Sequence, residues 1–305
     1  MSTYLKGIFI TSFSAMSFGL NPLFVNYLQS SNINLLWTLI IRFGGSFLLF
    51  ILIVKSKQLN FKLDTSIREV IIIFFCAVFF LLTSVFLVYS YTRIPSGLTT
   101  VLHFSYPILI TLLSIKAKRD NFSIALAISI VFSILGVYFV TNPKNMEFDL
   151  LGMTSAFLSS ITFSLYLFLL NDKKVKQIDN NLFVLYLNFF SIILLLLSSI
   201  FLLDDFVAIK HIDINPITFY GVFGYIMASA FGAFCFSFGT RIVGGPIAGT
   251  IGAFEPLTAV LVGVLYLNEV CSNSYMFGVG LILISTVIVS LFNSKSKKIT
   301  SKIRI

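Results

Sequence analysis

The sequence predicts an all-α membrane protein of ten transmembrane helices, arranged as two inverted five-helix repeats with both termini in the cytoplasm. The first observation is composition: 57% of the 305 residues are hydrophobic and 11% are charged, against about 25% charged in an average soluble domain. The second is a succession of apolar segments from end to end. The third is an internal repeat, because one passage of the first half recurs in the second half.

Ten apolar segments are long enough to cross about 30 Å of hydrocarbon, which takes about 20 helical residues. They lie at 5–28, 33–54, 69–91, 95–115, 122–140, 150–170, 181–203, 216–240, 244–266 and 273–292. We expect the first repeat to occupy 1–142 and the second 149–292, followed by a basic cytoplasmic tail at 293–305.

The placement of Lys and Arg predicts the orientation, because these residues accumulate in cytoplasmic loops. With the N-terminus inside, the cytoplasmic segments hold nearly all of the 21 Lys and Arg residues. The exceptions are Arg93, Lys144 and Lys210 outside and Arg42 within a helix. We therefore expect a multi-pass protein of the cell (inner) membrane with both termini cytoplasmic.

The repeat is clearest where the third segment leads into the fourth. The two copies share a Thr-Arg-Ile triplet, a glycine and a proline: Thr92, Arg93, Ile94, Gly97 and Pro107 in the first half, and Thr240, Arg241, Ile242, Gly245 and Pro256 in the second. Since five helices per repeat is an odd number, the second copy must enter the membrane upside down. Such inverted repeats are typical of transporters.

Pro107 and Pro256 are predicted helix breaks, or hinges, near the middle of the bilayer. Each removes one backbone hydrogen bond. The carbonyls of His103 and Gly252, which would have accepted those bonds, need another partner or a wet cavity, because lipid offers none.

Three passages resemble a known family. They are IIRFGGSFLLF at 40–50, GMTSAFLSSITFSLYLFLL at 152–170 and AFEPLTAVLVGVLYLNE at 253–269. Their order and spacing resemble the drug/metabolite transporter superfamily, specifically its ten-helix EamA-type branch, over nearly the whole chain. There are departures: Phe18-Gly19 and Phe163-Ser164 stand where that family often has tryptophan with a small residue, and Lys116 to Arg119 replace the terminal Glu of the first half.

The resemblance implies a secondary transporter that moves a small metabolite by alternating access between its two halves. Export of amino acids or related compounds is favoured, and uptake of a nutrient or vitamin is the runner-up. A non-transporting membrane scaffold or sensor is the alternative from another class. Charged residues at mid-membrane argue against the scaffold, because a scaffold gains nothing obvious from their cost.

Two opposite charges lie deep in the predicted helices. Arg42 is near the middle of the second segment, where inserting a charge costs about 2.5–3.5 kcal/mol. It either ties helix carbonyls together or attracts a carboxylate or phosphate group of a substrate. Glu255, directly before Pro256, is either paired with a cation such as Arg42 or titrates protons, and we hypothesise that it contributes to proton coupling.

Four more residues complete the predicted substrate contacts. His103 lies one turn before Pro107 and is either a packing residue or a proton sensor. Tyr106 lies on nearly the same helix face as His103. Asn21, in the first segment, and its repeat partner Tyr166 offer polar groups to a ligand.

The sequence shows no constellation of an enzyme, a cofactor site or a metal site. HExxH, GxSxG and P-loop patterns are absent, and Cys76, Cys235 and Cys271 lack ligand spacing. Lys and Arg lie in short loops, so nucleic acid is not an expected partner. We predict a small-molecule substrate and the lipid bilayer as partners, with proton coupling and a homodimer left open.

Overall fold

The computed structural model of the chain describes residues 3–61, 65–117, 124–141, 149–172, 174–200, 213–243, 248, 251–269, 272–285 and 287–288. Regular structure in these ranges is helical, which confirms the all-α prediction. The α-helices are α1 (Thr3–Gly19), α2 (Asn21–Ser30), α3 (Leu35–Ser56), α4 (Ile67–Tyr91), α5 (Ser96–His103), α6 (Tyr106–Lys116), α7 (Ile124–Thr141), α8 (Leu150–Leu170), α9 (Asn180–Ser199), α10 (Pro216–Val243), α11 (Phe254–Tyr266) and α12 (Asn273–Ser285). A short 3₁₀ turn covers Val175–Gln177.

Seven described helical stretches are long and apolar enough to cross a membrane. They are Tyr4–Ser30, Leu35–Ser56, Ile67–Tyr91, Ser96–Lys116, Leu150–Leu170, Asn180–Ser198 and Pro216–Val243. Shorter apolar helices lie at Ala127–Gly136, Phe254–Tyr266 and Asn273–Ser285. The crossing of all ten predicted segments and the orientation of the termini stay predictions, and the tail at 293–305 lies outside the described residues.

Pro107 and Pro256 each follow a break in a helix. The chain leaves α5 through a turn at Phe104 and Ser105, and Pro107 is the second residue of α6. Pro256 is the third residue of α11, after a turn at Gly252. Proline is tolerated at these positions because the N–H groups of a first helical turn have no intrahelical partner.

The carbonyl of Gly252 finds a protein partner at its break. It accepts a hydrogen bond from the backbone N–H of Glu255 at 2.9 Å. A wet cavity is therefore not needed to satisfy this carbonyl. The use of either proline as a hinge during transport stays a prediction.

The two repeats pack against each other reciprocally. Helix α1 runs along α10, and α8, its repeat counterpart, runs along α4. A Cβ on Gly7 would lie 2.7 Å from Ile242 Cγ2, and a Cβ on Gly152 would lie 2.9 Å from Ile94 Cγ2. Small residues allow such close contacts between helices in a membrane. Since these are equivalent positions of the two repeats, the repeat in the sequence corresponds to a repeated packing arrangement.

Asp149 joins the start of the second repeat to the first. Its Oδ1 accepts a hydrogen bond from the Gly152 N–H at 2.9 Å and so caps α8. Its Oδ2 forms an ion pair with Arg93 Nη1 at 3.0 Å. The pKa of Asp149 lies below its ordinary value. The hydrogen bond from the Gly152 N–H is the largest cause and the hydrogen bond from Arg93 is the second, because both stabilise the charged carboxylate.

We expect Asp149→Asn to make the fold less sensitive to acid. The pKa is lower in the folded chain than in the unfolded chain, so the unfolded chain binds the proton first. The stabilisation is therefore present above the ordinary carboxyl pKa of about 3.9 and is lost as the pH falls through the folded value.

Thermal unfolding of the purified protein at a series of pH values measures this effect. The fall of the midpoint below about pH 4 should be shallower in Asp149→Asn than in the unmodified chain. Asp172→Asn is the control, because Asp172 Oδ1 accepts a hydrogen bond from the Lys174 N–H and its carboxylate forms no ion pair with the described residues. Identical acid profiles for the Asp149 variant and the unmodified chain would contradict the assignment.

Candidate functional site

Arg42 is a buried guanidinium surrounded by aromatic rings. It lies on α3 and is 5% exposed. Its Cζ is 5.2 Å from the ring centres of both Phe43 and Phe80, and 5.8 Å from that of Tyr225. Neither of the two ion pairs among the described residues includes it. Arg42 is thus held by cation–π contacts and has no carboxylate partner among the residues that the structure describes.

Glu255 is the acidic counterpart of Arg42 but does not touch it. It is the second residue of α11, is largely buried, and takes part in no described ion pair. The ion pair that the sequence offered as one alternative is therefore not formed in this structure. Arg42 is still close enough for its charge to act on both Glu255 and His103. An arginine and a glutamate therefore share one interior without direct contact between their side chains.

His103 and Tyr106 lie side by side on the two sides of the α5–α6 break. Their ring centres are 5.5 Å apart, and both rings contact Phe163 of α8, at 5.2 and 4.7 Å. His103 Nδ1 hydrogen bonds to Ser159 Oγ at 2.8 Å. The hydroxyl of Tyr106 is buried and has no hydrogen-bond partner among the described residues. This hydroxyl can therefore bond to a ligand without breaking an existing contact.

Tyr166 connects this group of rings to Arg42. Its ring centre is 5.6 Å from that of Phe163 and 5.0 Å from that of Phe80, which lies against Arg42. His103, Tyr106, Tyr166 and Arg42 thus belong to one continuous set of contacts. We call these residues, with Phe80, Phe163, Tyr225 and Glu255, the central cluster.

Asn21 lies beside the central cluster rather than within its rings. Its Oδ1 accepts a hydrogen bond from Ser229 Oγ of α10 at 3.4 Å. It begins α2, directly after the bend that separates α2 from α1. At that bend, Gly19 lies so close to Glu255 that a Cβ would be 2.6 Å from the Glu255 carbonyl oxygen. The structure therefore brings Asn21 to the same level as Glu255.

Comparison with known proteins agrees with this architecture. The sequence model of the EamA-like transporter family matches residues 5–142 and 150–291. The chain belongs to this family. The EamA-like transporters form part of the drug/metabolite transporter superfamily, which confirms the resemblance seen in the sequence.

Other comparisons concern the fold of this EamA-like transporter. No curated protein matches its sequence. A crystal structure of a protein with 14% sequence identity superposes over 95% of this chain and 98% of its own, with a TM-score of 0.64. That likeness is one of fold. Family membership and the apolar spans together make the chain a multi-pass membrane transporter that acts on small-molecule substrates.

The sequence did not point to several members of the central cluster of this EamA-like transporter. Phe80 and Tyr225 of the cluster, and Ser159 beside His103, carry no local signal, since aromatic and small polar residues recur throughout this chain. Phe163 could have been found, because it stands where the family often has tryptophan. Phe163 is also aromatic, and its ring contacts those of His103, Tyr106 and Tyr166.

Glu269 is the last residue of the family-like passage at 253–269, and the sequence did not indicate a role for it. Its Oε1 accepts a hydrogen bond from the Ser96 N–H at 2.6 Å, and its Oε2 from the Gly97 N–H at 3.3 Å. The carboxylate therefore caps the N-terminus of α5. In this EamA-like transporter Glu269, which follows the ninth predicted segment, joins the second repeat to the first.

Two cavities lined by described residues lie outside the central cluster of the transporter. One, of about 250 Å³, lies beside Arg93 and Glu269. The other, of about 560 Å³, lies beside Glu69 and Lys174, which form an ion pair at 3.2 Å. None of the six predicted contact residues lines either cavity. The central wet cavity that a transporter of this kind needs stays a prediction.

Proposed function

We propose that this EamA-like transporter exports amino acids or closely related zwitterions by alternating access between its two inverted repeats. The observation that carries the proposal is Arg42, a buried cation to which no carboxylate of the described part of the chain is paired. Burying a charge costs several kcal/mol, whereas a desolvated cation–π contact contributes about 2 kcal/mol. Three rings lie beside Arg42 and offset some of this cost, but they carry no net charge, so a substrate carboxylate supplies the anion that neutralises the guanidinium.

Glu255 provides the complementary contact. An amino acid carries its ammonium and carboxylate groups a few ångströms apart, so it can bridge a cation and an anion that do not touch each other. Arg42 takes the carboxylate in this arrangement, and Glu255 takes the ammonium group. Tyr106, Phe163 and Tyr166 then surround the substrate side chain, which favours apolar and aromatic amino acids.

The direction and the energy source are further parts of the proposal. The distribution of Lys and Arg favours a cytoplasmic location for both termini in the cell membrane, and export is what the family resemblance favours. Glu255 is also our candidate for proton coupling. Its carboxylate can bind either a proton or the substrate ammonium group, so binding of one excludes the other and couples proton movement to substrate movement. Uptake of a nutrient is the second candidate, and a scaffold is the third.

Counterflow in proteoliposomes tests the function. Purified protein is reconstituted with a panel of amino acids and their decarboxylated amines, with and without a pH gradient. We expect saturable exchange of at least one amino acid and none of its amine. Loss of the pH-gradient effect in Glu255→Gln would support proton coupling, and unchanged transport with unchanged pH dependence would contradict it. No exchange under any gradient would leave the scaffold as the better account.

A further inference from the structure

Arg241 is the repeat partner of Arg93, and the two arginines have different surroundings. Arg93 donates from Nη1 to the carboxylate of Asp149 and lies 4.8 Å from the ring centre of Tyr89. Arg241, in the last turn of α10, donates from Nη1 to the Ile178 carbonyl at 2.6 Å and lies 5.8 Å from the ring centre of Phe183. Both guanidinium groups contact an aromatic ring, but of the two only Arg93 forms an ion pair with a described residue.

The remaining donors of Arg241 are buried and unused. Its Nε and Nη2 are excluded from solvent and have no hydrogen-bond partner among the described residues. The hydroxyl of the preceding residue, Thr240, is also buried and also has no hydrogen-bond partner among those residues. Arg241 forms none of the described ion pairs, although the charge of Asp179 acts on it.

The repeat explains why the carboxylate is missing here. Gly7 packs against Ile242 as Gly152 packs against Ile94, so the place taken by Asp149, three residues before Gly152, corresponds to Tyr4, three residues before Gly7. Tyrosine supplies no carboxylate at this position. The second copy of the packing arrangement therefore has the arginine but lacks the anion that pairs with its twin.

The unused atoms of Arg241 have the geometry that recognises an oxyanion. Nε and Nη2 are the two nitrogens on one edge of the planar guanidinium, and parallel hydrogen bonds from such an edge match two oxygens of a carboxylate or phosphate. The Ile178 carbonyl and the Phe183 ring hold the group in place. Phe236, five residues before Arg241 on α10, lies 5.8 Å from the ring centre of Phe163, so the same helix connects this edge to the central cluster.

We propose that the Nε–Nη2 edge of Arg241 is a second anion-binding site, which receives the carboxylate or phosphate group of a substrate on its way to or from Arg42. The inference rests on the proposed transport function. It assigns to this end of the bundle a site that the other end lacks, because Arg93 is already paired with Asp149.

Kinetics in membrane vesicles of both orientations test this site. Arg241→Lys keeps the charge but loses the planar edge, so we expect KM for the transported amino acid to rise about tenfold on the side that presents Arg241. KM on the opposite side should change by less than about twofold. Arg93→Lys is the matched control, because it makes the same change at the equivalent position where a carboxylate is already present, and KM should stay near its original value on both sides.

The outcomes separate this inference from the proposed function. Unchanged KM values in Arg241→Lys, while the unmodified chain transports amino acids, would overturn the Arg241 site and leave the proposed function standing. If no amino acid is transported, the proposed function fails. Binding of inorganic phosphate to the purified protein then tests the Arg241 site by itself. Thermal stabilisation by phosphate over chloride at equal ionic strength, lost in Arg241→Lys, would then support an oxyanion site, and no stabilisation would overturn it.

Discussion

Replacing Arg42 with Gln is expected to lower kcat/KM for the transported amino acid at least about 30-fold, which corresponds to the roughly 2 kcal/mol lower limit for removing one partner of a buried charge pair. The guanidinium is buried against Phe80 and Tyr225 and forms no ion pair with a carboxylate in the described ranges. The shorter, neutral amide fills part of the space but cannot neutralise a substrate carboxylate. The loss should therefore fall on transport rather than on folding.

Initial rates in proteoliposomes, with thermal unfolding measured in parallel, check this expectation. Lys55→Gln is the matched control, because it removes one positive charge from the same helix at an exposed position in its last turn. That variant should transport like the unmodified chain. If the Arg42 variant folds normally and transports at the original rate, Arg42 does not bind the substrate.

The second large effect is expected from Gly19→Ala. An added Cβ would lie 2.6 Å from both the Glu255 carbonyl oxygen and Thr258 Cβ. The oxygen belongs to the backbone of α11, so a side-chain rotation cannot relieve the contact. Overpacking of this kind costs about 1–3 kcal/mol, and relief of the contact would move Glu255 relative to Asn21. Both the unfolding temperature and the transport rate should fall.

Gly280→Ala is the control for Gly19→Ala. It makes the same chemical change in α12, where a new Cβ would meet no atom within 4 Å. Thermal unfolding and counterflow of the two variants should differ, with Gly280→Ala close to the unmodified chain. Equal stability and equal transport in both variants would show that α1 and α11 can separate here without consequence.

Much of the fold could be predicted from the sequence, because the bilayer limits the choices. Lipid cannot hydrogen bond to a backbone, so apolar segments of this length become helices. Family membership could be predicted from the order of three passages. The helix breaks near Pro107 and Pro256 followed from the missing N–H of proline.

The candidate site could be predicted only in part. The costs of burying Arg42 and Glu255 identified them as unusual residues, but not how they are arranged. The expected alternative of an ion pair between them is wrong for this structure. The distance between the two side chains depends on how α3 and α11 are rotated and tilted against their neighbours. Sequence spacing carries no information about these rotations and tilts.

The sequence by itself determined the helical class, the two repeats and the residues whose charge is costly within a membrane. These follow from properties of single segments: length, hydropathy and charge. Only the tertiary structure decided which side chains meet. It placed aromatic rings rather than a carboxylate around Arg42, directed Glu269 to the start of α5, and left Arg241 without the partner that Arg93 has. These contacts join residues far apart in the chain, and their geometry is determined by packing between helices rather than by the helices themselves.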